Sequence, residues 1–233
     1  MQRHIAPANF KSEAETRELS GLASGLVGVV IFSLTLPMTH IALEGFDRYF
    51  IGIGRAIPAA LLAALILALT RQPIPRRESW PRLAWVSIGC IFGFPLFVTA
   101  AMQQVPAAHG GVILAVLPLA TAMAGALMDG ERPSLGFWLS GVAGSLLVLA
   151  FAMSEAGGFT FQSGDLLLVA ATIAAAVGYA QSGILARSMG GWQVISWALV
   201  FSLPFSLLAM LCSPGRSIGR RRRKRGSASP MSR

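Results

Sequence analysis

Seven long apolar stretches constrain the fold of this chain more than any other feature of its sequence. The hydrocarbon core of a bilayer is about 30 Å thick, so an α-helix that rises about 1.5 Å per residue needs roughly 20 apolar residues to cross it. The sequence therefore predicts an all-α fold, a polytopic membrane helix bundle with about seven transmembrane helices. The stretches cover residues 21–43, 49–70, 83–102, 106–127, 135–153, 165–185 and 193–212.

The composition excludes an ordinary soluble domain. Only 12% of the residues are charged and 54% are hydrophobic, whereas soluble domains are about 25% charged. The net charge of +9 comes mostly from eight of the 19 Lys and Arg residues, which follow Ser213; residues 1–212 carry 11 basic and 10 acidic residues, or +1. We therefore expect the lipid bilayer, and not nucleic acid, as the partner of this chain. The basic tail either binds anionic lipid or has no function.

Basic residues in the connections between the stretches predict the orientation, because such residues stay on the cytoplasmic side. Alternate connections are rich in arginine, and the others carry only Arg48. This pattern places the N-terminus in the cytoplasm and the chain in a plasma membrane or bacterial inner membrane. An odd number of spans then puts the basic tail of residues 213–233 outside, which disagrees with the same rule. The arginines in question are Arg71, Arg76, Arg77, Arg82, Arg132 and Arg187.

The order of the stretches indicates an internal repeat. Residues 21–153 hold five stretches, and a second unit begins near Gly164 and Asp165. Because five is odd, a second copy would cross the membrane upside down, as in the inverted repeats of secondary transporters, whose substrate sites lie near the midplane. The alternative is that the two units are alike only because any two apolar helices resemble each other.

Several short segments, taken in order, resemble one known family. They are residues 32–43 followed by Arg55, residues 107–111 running into 117–119, and residues 130–134. On these segments, residues 21–153 resemble a complete five-helix EamA domain of the drug/metabolite transporter superfamily. Residues 164–212 resemble the first two helices of a second such domain, and the chain is flanked by a polar cytoplasmic tail (1–20) and a basic disordered tail (213–233).

The resemblance implies a carrier of ten helices that moves a small metabolite or drug-like solute by alternating access, in a cavity between its two repeats. Three helices of the second repeat are missing from the pattern, and residues 213–233 have the composition that a shifted reading frame or premature end would leave. The alternative is therefore a truncated, transport-inactive membrane fragment of such a carrier. Pairing of two copies as a homodimer would be one way to complete a cavity.

Polar or helix-breaking residues at membrane depth are candidates for function, because lipid penalises them. His40 fits an interfacial residue better than a proton carrier, and Arg55 either snorkels, pairs with Glu44 or Asp47, or takes part in gating. Pro118 exposes backbone carbonyls, while polar side chains on the spans either bind substrate or hydrogen-bond between helices. The candidate substrate-binding set is His40, Arg55, Thr99, Pro118, Tyr179 and Gln181.

Other motifs argue against an enzyme and against a cofactor. His109, Gly110 and Gly111 resemble a turn of hydrolases, but no Gly-x-Ser-x-Gly elbow accompanies them, so we interpret the glycines as sites of close helix approach. Gly21 and Gly25 permit the same. The three histidines and two cysteines lack metal-ligand spacing, and no phosphate-binding loop for ATP is present. We expect no catalytic residue, no metal and no cofactor, and an unidentified small-molecule substrate.

Overall fold

The computed structural model of this chain describes residues 8–130, 133–155 and 161–212. The basic tail of residues 213–233, and Glu131 and Arg132 of the resembling segment, lie outside the described residues. Within the described ranges the chain forms α-helices joined by short turns. They are α1 (Ala8–Ser33), α2 (Thr35–Ala42), α3 (Ala56–Leu69), α4 (Trp80–Val86), α5 (Phe94–Ala101), α6 (Ala107–Leu114), α7 (Leu117–Asp129), α8 (Leu135–Glu155), α9 (Ser163–Met189) and α10 (Gly191–Cys212).

These helices join into membrane-spanning stretches at nearly the predicted positions. In the described residues, six stretches are long and apolar enough to cross a bilayer, and α8 occupies the place of the seventh. Within α8, the structure describes an apolar stretch at Leu135–Val148, which is shorter than a full span. The prediction of an all-α polytopic bundle is confirmed. The six stretches are Leu19–Ala42, Phe50–Leu69, Arg77–Ala101, Ala107–Asp129, Ser163–Met189 and Gly191–Cys212.

Two spans contain a π-helical segment, in which the backbone winds more loosely than in an α-helix. Phe50–Gly54 precedes α3, and Ser87–Gly93 joins α4 to α5. The first helix begins earlier than the predicted span, at Ala8, and therefore includes part of the segment that the sequence assigns to a polar tail.

Two ends of the bundle are named below by the residues that mark them. The Asp165 end holds the turns at residues 43–49 and 102–106 and the start of α9. The Arg187 end holds the turn at residues 70–76, residues 130 and 133–134 between α7 and α8, and the end of α9.

Helix α9 is the centre of the bundle. It packs against α4, α5, α6, α7 and α10, and its buried face consists largely of small residues such as Ala171, Ala175 and Gly178. Small residues allow helix backbones to approach closely, which is the main source of attraction between helices in lipid. One apolar core cluster joins α9 to α5, α6 and α7, and a second joins it to α3, α4 and α10.

One close approach between α9 and a neighbouring segment lies at two glycines. A Cβ atom built on Gly89 would lie 2.9 Å from the Cα atom of Gly178, and one built on Gly178 would lie 3.0 Å from the amide nitrogen of Cys90. The π-helical segment that carries Gly89 also contacts α10, because the Ser87 hydroxyl donates a 3.0 Å hydrogen bond to the carbonyl of Ala198. This segment therefore depends on glycine at both positions.

The outermost helices expose apolar side chains over most of their surface. Thr39 is the only buried side chain of residues 19–42, and residues of α8 such as Leu147 are 72% exposed. Phe32 attaches α1 to the core by stacking on Phe94, with ring centroids 5.9 Å apart. Apolar exposure on this scale is suited to lipid and not to water.

The glycine contact predicts a difference in stability between two substitutions on the same helix. Gly178→Ala should lower the free energy of unfolding by about 1–3 kcal/mol, because the added methyl group overlaps the backbone of the π-helical segment. Gly183→Ala should leave stability unchanged or raise it by up to about 1 kcal/mol, because its Cβ position meets nothing within 4 Å and alanine favours the helix. Thermal unfolding of both variants in the same detergent measures this, and equal midpoints would contradict the packing described.

Candidate functional site

A cavity of about 1060 Å³ lies between α1, α7, α8 and α9. Its walls come from Gly25, Gly28, Val29 and Phe32 of α1, from residues between 114 and 125 of α6 and α7, and from Phe137 and the segment Tyr179 to Gly183. Pro133, in the turn at the Arg187 end, also lines it. The cavity therefore occupies the half of the bundle nearer the Arg187 end.

The described lining of the cavity is largely apolar and includes no charged side chain. Its aromatic surface comes from Phe32, Phe137 and Tyr179. Thr121 also lines the cavity, but its hydroxyl donates a 2.9 Å hydrogen bond to the carbonyl of Leu117 within the same helix. The Tyr179 phenol is thus the main polar group that the lining offers to a solute.

A break in the helix shapes one wall of the cavity. The helical stretch Ala107–Asp129 is interrupted at Ala115 and Val116, between α6 and α7. Pro118 is the cause, because it has no amide hydrogen to donate to the carbonyl of Leu114, four residues earlier. Both Leu114 and Pro118 line the cavity, so the break exposes backbone polarity beside a wall that is otherwise apolar.

Arg55 does not line the cavity. The residue directly follows the π-helical segment Phe50–Gly54, and its side chain is exposed. Arg55 forms no ion pair with Glu44 or Asp47, the pairing that the sequence left open; Asp47 instead accepts a 2.9 Å hydrogen bond from the Tyr49 amide.

The other three candidates lie apart from the cavity. His40 is exposed on α2, at the Asp165 end. Thr99 of α5 is buried against Gly52, and its hydroxyl donates a hydrogen bond to the carbonyl of Pro95. Gln181 faces the opposite side of α9 from Tyr179 and donates to the sulfur of Met128 at 3.4 Å. Of the six candidates, the structure places Pro118 and Tyr179 in the wall of the cavity.

The glycines of α1 play a different part from the one that the sequence predicts. A Cβ atom on Gly21 or Gly25 would meet nothing within 4 Å, so the expectation of close helix approach there is wrong. Gly25 and Gly28 leave open space in the wall of the cavity instead.

A buried ionisable pair that the sequence analysis did not single out connects α6 to α9. The Nε2 atom of His109 lies 2.7 Å from Oδ1 of Asp165, and the two side chains are 14% and 2% exposed. The available signal was depth: His109 is the third residue of α6, and Asp165 is the third residue of α9, which also begins at the Asp165 end.

A second ion pair connects the same two spans at the Arg187 end. Arg187 Nη1 lies 2.7 Å from Asp129 Oδ2, with side chains 59% and 23% exposed. The two pairs therefore hold α9 to its neighbour at both ends, one buried and one in contact with solvent. In the described residues no group of three or more His, Cys, Asp or Glu side chains is arranged to hold a metal ion.

Comparison with known proteins identifies the family of this chain. The model of the EamA-like transporter family matches residues 19–154. The chain is 44% identical over 188 residues to "Uncharacterized transporter YdeK" of Bacillus subtilis (strain 168), an alignment that covers 81% of this chain and 65% of the relative. It is 32% identical over 117 residues to "Aromatic amino acid exporter YddG" of Ancylobacter novellus, covering 48% of this chain and 37% of the relative.

The chain therefore spans less than two thirds of the length of both relatives. No solved structure matches it.

The two ion pairs predict unequal losses of stability. Asp165→Ala should lower the free energy of unfolding by about 3 kcal/mol, because it leaves His109 buried without this partner and removes a helix cap. Asp129→Ala should cost less than about 1 kcal/mol, since exposed ion pairs contribute little. Chemical or thermal unfolding in detergent measures both, and a larger loss for Asp129→Ala would contradict the burial of the His109–Asp165 pair.

Proposed function

Because this chain belongs to the EamA-like transporter family, we propose that it is a secondary transporter that moves a small solute across a cell membrane by alternating access. The observation that carries the proposal is the cavity of about 1060 Å³ between α1, α7, α8 and α9. Binding cavities for small molecules occupy about 300–1,000 Å³ and often lie between the helices of a bundle, so this one suits an organic solute rather than an ion.

The two ends of the bundle differ, which supports access of solute to the cavity from one side of the membrane. At the Asp165 end, Val105, Gly164 and Asp165 are buried, and Gly164 packs closely against the Val105 side chain. At the Arg187 end, the cavity reaches Pro133, and the ion pair there is exposed. The Arg187 end also carries the arginine-rich turns, which the positive-inside rule assigns to the cytoplasm. We propose that this conformation receives solute from the cytoplasm and that the N-terminus is cytoplasmic.

The side chains that line the cavity favour a solute with an apolar or aromatic body. Phe32, Phe137 and Tyr179 provide aromatic contact, and the Tyr179 phenol offers a hydrogen-bond donor. A phenolic hydroxyl can donate a hydrogen bond to an ionised carboxylate, and such charge-assisted bonds are stronger than neutral ones. The name of the relative YddG, an exporter of aromatic amino acids, agrees with this chemistry. We propose an aromatic carboxylate, with aromatic amino acids as the first compounds to test.

Purified full-length chain in liposomes tests the transport proposal. Vesicles loaded with unlabelled phenylalanine, tyrosine and tryptophan, or with the corresponding acids that lack an amino group, should accumulate the labelled compound by exchange. Uptake should saturate and should exceed uptake by empty liposomes. If a folded, monodisperse protein produced no exchange with any of these compounds, the alternative of a transport-inactive membrane protein would be favoured.

Two glycines on the same helix provide a matched test of the cavity. Gly28→Leu places a side chain in the cavity, and Gly21→Leu places the same side chain outside it; neither Cβ position meets another atom within 4 Å. We expect Gly28→Leu to lower the exchange rate by roughly tenfold or more, the effect of losing about 1.4 kcal/mol of solute binding, and Gly21→Leu to leave it within about twofold. Equal rates for the two variants would show that solute does not pass through this cavity.

A further inference from the structure

The connection between α3 and α4, together with the first turn of α4, carries a dense positive charge. This arginine segment, residues 70–82, holds four arginines and one acidic residue, Glu78, for a net charge of 4 − 1 = +3. The two ion pairs among the described residues lie elsewhere, so none of these four guanidinium groups is neutralised by a carboxylate of the described chain. The four arginines are Arg71, Arg76, Arg77 and Arg82, and the first three are exposed.

Arg71 stands at a position that favours glycine. Its backbone is left-handed, with a φ of 51°, and in the described ranges it is the one residue other than glycine with a positive φ. The Gln72 amide donates a 3.0 Å hydrogen bond to the carbonyl of Leu67, and the Arg71 amide donates a 3.1 Å bond to that of Ala68. This pattern closes a helix whose next residue is left-handed, usually a glycine. A side chain there costs free energy, which directs attention to what the guanidinium group does.

A favourable interaction with the end of α3 accounts for one arginine and not for the set. A cation near the C-terminus of a helix is stabilised by the helix dipole, but the effect falls off beyond the last turn. Arg76 and Arg77 lie well past Leu69, the last residue of α3, and Arg77 opens a short 3₁₀ turn that leads into α4. These two arginines therefore need another explanation for their charge.

Hydrogen bonds hold the backbone that carries these arginines. The Trp80 indole donates a 3.2 Å hydrogen bond to the carbonyl of Pro75, and the Ser79 amide donates a 2.9 Å bond to that of Arg76. Both bonds lie within the segment and close it into a compact turn. Cations on an ordered backbone lose less conformational freedom on binding than cations on a flexible chain, so the segment is suited to bind an anion.

Apolar and aromatic side chains lie beside the positive charge. Ile74 is 74% exposed and Trp80 is 45% exposed. Further along the same span, Trp85 and Ile88 are 54% and 55% exposed, and residues three apart share one face of a helix. Indole rings are favoured where the hydrocarbon core meets the lipid headgroups. The arginines therefore lie at the depth of the lipid phosphates, next to a surface that faces acyl chains.

We propose that the arginine segment is a binding site for an anionic phospholipid of the leaflet that it faces. Arg71, Arg76 and Arg77 bind the phosphate through charge-assisted hydrogen bonds, and Trp85 and Ile88 contact the acyl chains. A zwitterionic phospholipid carries the same phosphate with an ammonium group that the arginines repel, so the net charge of the headgroup selects the lipid. This inference does not depend on the proposed transport function, and either can fail without the other.

Photo-crosslinking of the full-length chain locates the bound lipid. In detergent micelles that contain a small fraction of photoreactive phosphatidylglycerol, the cross-linked peptides are mapped by mass spectrometry. The yield on residues 70–88 should exceed that of photoreactive phosphatidylcholine by about tenfold or more, since each arginine near a lipid surface contributes about fivefold in affinity. Unlabelled phosphatidylglycerol should compete, whereas glycerol phosphate at the same concentration should not. Equal competition by glycerol phosphate would show a site for free phosphate and overturn the proposal.

Three variants test the arginines against a matched control. Arg77→Gln should lower the phosphatidylglycerol yield on residues 70–88 about fivefold, and the double variant Arg76→Gln with Arg77→Gln about 25-fold. Arg48→Gln removes an exposed arginine at the opposite end of the bundle and should leave the yield within about twofold. The basic tail of residues 213–233 is present in every variant, so its charge does not affect the comparison.

Arg71→Gly separates lipid binding from structure. Glycine adopts the left-handed conformation without a steric penalty, so the thermal midpoint in phosphatidylcholine micelles should stay equal or rise by about 2–4 °C, while the phosphatidylglycerol yield should fall about fivefold. An undiminished yield in Arg71→Gly or in the double variant would overturn the proposal. Equal yields of the two lipids in the parent chain, or the same loss in Arg48→Gln, would do so as well.

Discussion

The close packing of α9 against its neighbours is the interaction on which the rest of the structure depends. In lipid, apolar side chains gain little by leaving the solvent, so helices associate through tight contact and internal hydrogen bonds. Alanines and glycines along α9, with Gly89 opposite Gly178, permit that contact. The polar contacts at the two ends of α9, to His109 and to Asp129, then fix its position along the bundle axis. Helices α1 and α8 lie outside this core and enclose the cavity.

The cavity follows from places where the packing is relaxed. Pro118 interrupts the helix on one wall, and Gly25 and Gly28 on the facing helix leave space that longer side chains would fill. The same helix, α9, thus contributes both the close contact between Gly178 and Gly89 and, through Tyr179, the main polar group of the cavity. A shift of α9 relative to its neighbours would change the cavity and the closure at the Asp165 end together, which is the coupling that alternating access requires.

The sequence predicts the spans well because a length of apolar helix is a local property. The predicted stretches at residues 106–127 and 193–212 agree closely with Ala107–Asp129 and Gly191–Cys212. The site is predicted in part. Pro118 and Tyr179 line the cavity, whereas Thr99 packs against Gly52 away from it. The pairing of His109 with Asp165 joins residues 56 positions apart, and such a contact is set by how helices pack. The boundaries of the two repeats remain predictions.

Accessibility of the cavity from one side of the membrane tests the central claim most directly. In chain without its native cysteines, Thr121→Cys lies in the cavity wall, and Leu127→Cys, 82% exposed on the same helix, lies outside it. A membrane-impermeant thiol reagent should label position 121 from the side of the arginine-rich turns and not from the other side, and solute should slow that labelling. Equal labelling from both sides, or no labelling at position 121 from either, would contradict a cavity open at the Arg187 end.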